Sequence, residues 1–154
     1  MAEILVIGVG NEFRGDDAVG IWVARQLAQS APPRVGVIEQ RGEGADLMDA
    51  WQGAEMVLLI DAASSGAKPG TIHRFTAHQA PLPAELFSFS SHAFGVAEAV
   101  EMARLLGELP PQMLVYTIEG ETFDPGASLS PAVAQAVEDI IPRLLREIES
   151  QFSR

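Results

Sequence analysis

Short apolar runs alternate with amphipathic stretches along the chain. Ile4 to Val9, Val35 to Glu39, Met56 to Ile60, Thr71 to Phe75 and Met113 to Ile118 are β-prone runs bounded by Gly, Pro or Asp, which predicts five strands. Between or after them, apolar residues recur at helical spacing. Val19, Trp22, Val23 and Leu27 mark the inward stripe of a helix from Asp17 to about Ala28, and a short helix is expected from about Ala45 to Trp51. Val96, Ala99, Val100, Ala103 and Leu106 mark one face of a third. The last helix carries Val133, Val137, Ile140, Ile141, Leu144, Leu145, Ile148 and Phe152 on one stripe, with Ser130 as its cap and Pro131 at its first position. Pro142 is expected to kink it.

Strands that alternate with helices predict an α/β fold: a five-stranded, largely parallel twisted sheet with helices on both faces. Residues 1–154 read as a single domain. Pro69-Gly70 and Ala80 to Pro83 interrupt the pattern without a change in composition, as loops do and domain linkers do not.

Composition narrows the function. With 47% hydrophobic and 20% charged residues the chain is apolar enough to build a core. The apolar runs fall far short of the roughly 20 residues that cross a bilayer, so no membrane is expected. The start of the chain lacks a basic, cleavable leader, so the expected location is cytoplasmic. No cysteine is present, which removes disulfides, thiolate metal sites and a cysteine nucleophile and leaves oxygen and imidazole ligands. A net charge of -11 opposes binding to nucleic acid.

The first strand runs into Gly8-Val9-Gly10-Asn11, a Gly-x-Gly turn that suggests dinucleotide binding, and Glu39 closes the second strand where such folds place an acid for the ribose. Against this, Phe13 stands at the third glycine position, and Glu12, Asp16 and Asp17 occupy the place of a pyrophosphate. Carboxylates repel the anion that a helix N-terminus would attract. No organic cofactor is expected. Asp16 suits the N-cap of the first helix and Asp17, at its first position, can reach into the cleft above the strand; both could equally serve only as caps.

Asp61 follows a buried strand at its carboxyl end, the edge where open parallel sheets bind ligands. His92 precedes the third helix, whose cap is expected to be Ser90 or Ser91. A neutral, ligating imidazole suits a helix start better than a protonated one. His73 and His78 read as structural or surface histidines. Two carboxylates and one imidazole suit a borderline divalent ion such as nickel or zinc and leave coordination positions open. Asp17, Asp61 and His92 are therefore the candidate metal site, and Glu43, Asp46, Glu119, Glu121 and Asp124 read as solvated loop acids.

Gly8-Val9-Gly10-Asn11-Glu12-Phe13-Arg14-Gly15-Asp16-Asp17-Ala18-Val19-Gly20, Asp61 after an apolar strand, Ser91-His92 opening a helix, Ile118-Glu119-Gly120 and Leu129-Ser130-Pro131 together resemble the hydrogenase maturation endopeptidases. The resemblance covers nearly the whole chain. It implies a peptidase that removes the C-terminal extension of a nickel-iron hydrogenase large-subunit precursor. It further implies that Asp17, Asp61 and His92 meet the nickel already loaded in that substrate, that Asp17 and Asp61 flank the scissile bond, and that the protein is a monomer. Ala18 stands where many members have glycine, and Arg41 to Gly44 only loosely match the family's Gly-rich stretch.

Two other readings stay open at this point. A non-catalytic nickel-binding checkpoint protein would use the same ligands, and a nucleotide-binding protein would use the first loop. Water activation by a carboxylate or by the metal is equally compatible with the residues. A serine mechanism is disfavoured because no Gly-x-Ser-x-Gly elbow exists, although Ser90 and Ser91 adjoin His92.

Overall fold

The computed structural model describes residues 3–87 and 92–153. Five strands form one sheet: β1 (Ile4–Val9), β2 (Val35–Gln40), β3 (Met56–Ala63), β4 (Ile72–Thr76) and β5 (Gln112–Glu119), in the spatial order β2-β1-β3-β5-β4. All neighbours are parallel except β4, which pairs antiparallel with β5. The largely parallel sheet expected from the alternation of elements is present, with one antiparallel edge.

The helices are α1 (Val19–Ala28), α2 (Gly44–Ala50), α3 (Val96–Leu106) and α4 (Pro131–Phe152). The pleat sorts the core into two layers, because successive strand residues point to opposite faces. Ile4, Val6, Met56, Leu58, Ile60, Leu114 and Tyr116 meet Val19, Val23 and Leu27 of α1 and Val133, Val137, Ile140 and Leu144 of α4. Leu5, Ile7, Val57, Leu59, Met113 and Val115 meet Leu47 beside Trp51 at the end of α2, and Ala99, Val100 and Ala103 of α3. Helices therefore cover both faces.

The expectations for Trp22, Leu106 and the cap of α3 are corrected. Trp22 is 44% exposed rather than inward, and its ring lies under the guanidinium of Arg25 at 5.5 Å. Leu106 is also exposed, because α3 ends there and Gly107 turns the chain with φ +69. α4 continues through Pro142, which sits on the solvent side where the carbonyl it leaves without a helical partner can reach water. Ser90 and Ser91, the expected caps of α3, lie outside the described residues. The N-cap of α3 is Gly95, whose N–H donates to Glu98 Oε1 at 2.8 Å.

The topology also creates the site. From β1 the chain crosses to β2 on one side, whereas β3 adds on the other, so the loops leaving β1 and β3 diverge and open a crevice at their carboxyl ends. Gly20 closes α1 onto this crevice floor, since a Cβ there would stand 2.4 Å from the carbonyl oxygens of both Ile60 and Val9.

Candidate functional site

Asp17, Asp61 and His92 line one cleft of ≈ 270 Å³ over the ends of β1 and β3, together with Arg14, Asn11 and Gly42. Leu86, Phe87 and Val96 supply an apolar wall. Each of the three expected site residues reaches the cleft from a different element.

Asp17 stands in a short 3-10 turn, Gly15–Ala18, which precedes α1 instead of forming its first turn. Its Oδ2 accepts the Asn11 N–H at 3.0 Å. Gly10 allows this contact: at φ +153, a Cβ there would lie 2.0 Å from the Asp17 carbonyl oxygen. Burial raises the Asp17 pKa above its usual value, against the opposing pull of the Asn11 N–H, Arg14 and His92.

Asp61 lies inside β3, which extends to Ala63, and not just beyond a strand ending at Ile60. Its Oδ1 accepts the N–H of Ala62 at 2.8 Å. Burial, and secondarily the charge of Asp17, push its carboxyl up to about 8. The two carboxyls thus form an acid pair that resists double ionisation, as close carboxylates do.

His92 Nε2 donates to the Arg41 carbonyl oxygen at 3.1 Å, a bond that fixes the proton on that nitrogen because a carbonyl only accepts. Gly42 beside the ring has φ +94, which disfavours a side chain, and a Cβ there would press on Val9 Cγ1 at 3.1 Å while meeting His92 Cδ2 at an ordinary 3.7 Å. The three side chains share the cleft without being drawn to coordination distance. Among the described residues no three His, Asp or Glu side chains are grouped closely enough to hold an ion.

Asp16 is corrected outright. It does not cap α1, whose N-cap is Ala18. Instead Asp16 is 0% exposed and its carboxylate accepts Glu121 N–H at 2.7 Å, Thr122 N–H at 3.0 Å, Ser130 N–H at 2.8 Å and Ser130 Oγ–H at 2.9 Å. Burial pushes its pKa up, and the four hydrogen bonds more than reverse this, leaving it below the usual value. The β5–α4 loop is thereby tied to the turn that carries Asp17.

Glu119 is not a solvated loop acid either. It is 1% exposed at the end of β5 and accepts Ser65 N–H at 2.6 Å, Ser65 Oγ–H at 3.0 Å and Gly66 N–H at 2.9 Å. Glu43 caps α2 by accepting the Ala45 and Asp46 N–H groups. Glu39, the residue a ribose would need, is instead held by Arg25 at 3.0 and 3.1 Å, and Arg25 also bridges to Glu12 at 3.0 Å. This pairing speaks against the nucleotide reading. His78 is structural: its Nδ1 accepts the Met113 N–H at 2.9 Å. His73 stacks on Phe75 with ring centres 6.1 Å apart.

A family model described as hydrogenase maturation protease matches residues 21–147. Asp61 and His92 fall within that stretch, and Asp17 just before it. The chain is 27% identical over 147 residues to the hydrogenase 2 maturation protease of Escherichia coli, covering 92% of this chain and 88% of that one. It is 29% identical over 155 residues to a putative hydrogenase maturation protease of Methanocaldococcus jannaschii, covering 96% and 97% of the two chains. Among solved structures, the hydrogenase maturating endopeptidase of E. coli superposes with a TM-score of 0.82 at 27% identity, covering 98% of this chain and 94% of that one.

Proposed function

The chain belongs to the hydrogenase maturation protease family and is a peptidase, and we propose that it removes the C-terminal extension of a nickel-loaded hydrogenase large-subunit precursor. The precursor's own nickel is the recognition element and is part of the substrate. The observation that carries this reading is the meeting of Asp17, Asp61 and His92 in one cleft at the carboxyl edge of the sheet.

The chemistry of that cleft supports it. Two carboxyls and an imidazole are a donor set that a borderline divalent cation accepts. Burial first, and the neighbouring charge of Asp17 second, raise the Asp61 pKa, so the pair favours a compensating positive charge. A cation delivered by the precursor supplies the missing charge and displaces protons from the pair. Docking would then fix the scissile bond beside Asp17 and Asp61, and such orientation is worth several kcal/mol of barrier, on the order of a well-placed intramolecular reaction. In this aspartic-type reading one carboxylate of the pair takes a proton from the attacking water and the pair returns a proton to the leaving amine. The protein acts as a cytoplasmic monomer.

The test is incubation with nickel-loaded and nickel-free precursor, followed by intact-mass measurement. Loss of the C-terminal segment from the loaded form alone is expected. Tight binding without mass loss would replace the peptidase by a checkpoint protein that reads the metal without cutting. In parallel, Asp17→Asn, Asp61→Asn and His92→Ala should each weaken nickel binding measured by calorimetry; a variant with undiminished affinity removes that residue from the ligand set.

A further inference from the structure

Arg14 is the polar side chain in the cleft that the mechanism above leaves unused. It lines the cleft with Asp17 and Asp61, and its Nε has neither solvent access nor a hydrogen-bond partner. Its charge acts on Asp17, yet the ion pairs among the described residues belong to Arg25, Arg34, Arg74 and Arg104, not to Arg14. Arg41, Arg143 and Arg146 also stand outside these ion pairs, but their side chains are exposed, whereas Arg14 is half-buried with its Nε out of reach of water. A half-buried guanidinium with five donors demands acceptors, and leaving such donors unpaired is costly.

The backbone holds Arg14 in register with the acid pair. Arg14 N–H donates to the Asn11 carbonyl at 3.2 Å, and Asp17 N–H donates to the Arg14 carbonyl at 3.1 Å. Asn11 N–H in turn binds the Asp17 carboxylate. Arg14 and Asp17 are thus parts of one closed turn and cannot be displaced independently. The other arginine in the cleft, Arg41, has an exposed side chain.

Resting on the peptidase reading of this cleft, we propose that Arg14 is a catalytic residue that donates hydrogen bonds to the carbonyl oxygen of the scissile peptide bond. In the step concerned, the water oxygen bonds to the carbonyl carbon while the C=O π pair moves onto oxygen, and the water's proton goes to a carboxylate of the Asp17–Asp61 pair. The oxyanion then re-forms C=O, the C–N bond breaks, and the amine nitrogen takes a proton from the pair. Arg14 keeps its own protons throughout and compensates the charge on oxygen. A guanidinium suits this work because it stays charged and its planar fork matches an oxygen acceptor.

The experiment is steady-state cleavage of nickel-loaded precursor by wild type, Arg14→Gln and Arg14→Lys, with thermal unfolding of each. Arg14→Gln should lose roughly 100-fold in kcat, the scale of removing one oxyanion donor, with KM and nickel affinity changed less than about threefold. Arg14→Lys should recover part of the loss because it keeps the charge, and it remains a test should the Gln variant fail to fold. A kcat within threefold of wild type in Arg14→Gln, or a loss confined to KM, overturns the assignment. If wild type leaves the loaded precursor intact, the peptidase reading and this inference fall together; if wild type cuts and Arg14→Gln cuts equally well, the inference alone falls.

Discussion

Replacing Asp16 should destabilise the protein more than replacing either acid of the cleft. Its carboxylate, with no solvent exposure, accepts four hydrogen bonds from the segment Glu121–Ser130. In Asp16→Ala the two Ser130 donors stay buried without a partner, whereas the Glu121 and Thr122 N–H groups can turn partly to water. At about 1–3 kcal/mol for each buried donor left unpaired, and less for the two at the surface, the loss totals roughly 4 kcal/mol. Asp16→Asn keeps the shape but turns an NH₂ group toward donors, and should lose about 3 kcal/mol. Urea unfolding followed by tryptophan fluorescence reads this as a lower midpoint at unchanged slope.

The pH dependence gives an internal control. The folded pKa of Asp16 lies below the ordinary 3.8, so its stabilisation is complete above 3.8 and is lost as pH falls through the lower, folded value. The gap between wild type and Asp16→Asn should therefore close in acid. A loss under 1 kcal/mol for Asp16→Ala at neutral pH, or a gap that does not change in acid, would refute the reasoning.

Two further substitutions separate stability from chemistry. Thr117 is fully buried and its Oγ1 has no partner, so Thr117→Val should add about 1 kcal/mol and raise Tm by roughly 2–4 °C; a lower Tm would mean that the hydroxyl is satisfied. Asp61 has the opposite linkage to Asp16: its folded pKa of about 8 exceeds 3.8, so stability is highest below 3.8 and has been lost above about 8. Asp61→Asn should abolish cleavage yet be more stable than wild type at pH 8, and an equal or lower denaturation midpoint there would argue against a buried, proton-holding carboxyl.

Much of the architecture could be read from local pattern, because each strand's own apolar residues announce it. Met56 to Ile60 is buried on both sides and reads as a strand whatever surrounds it. That Asp17, Asp61 and His92 line one cleft was legible because all three lie toward the carboxyl edge of the sheet, where an α/β fold gathers its loops. Asp16 was not, since its partners lie 105 to 114 residues away and nothing near it competes with the capping role its position suggests. Glu119 escaped for the same reason: Ser65 and Gly66 approach it only once β3 and β5 have paired. Trp22 and Leu106 fit the helical period but lie where no second element covers them. Arg14 stood in the motif, but its lack of a partner is a property of the folded cleft.

The position of Asp61 within β3 ties the make-up of the cleft to strand register. Asp61 pairs with Thr117, and both continue the odd-numbered positions of their strands that face α2 and α3. Inserting or deleting one residue in β3 upstream of Asp61 would turn its carboxyl to the opposite face, into the apolar layer under α1 and α4. The carboxyl, buried there without a partner, would then oppose folding just as the cleft lost its acid. A one-residue slip in strand pairing would thus be disfavoured by the residue on which the proposed reaction depends, so correct pairing of the sheet and assembly of the cleft are selected together.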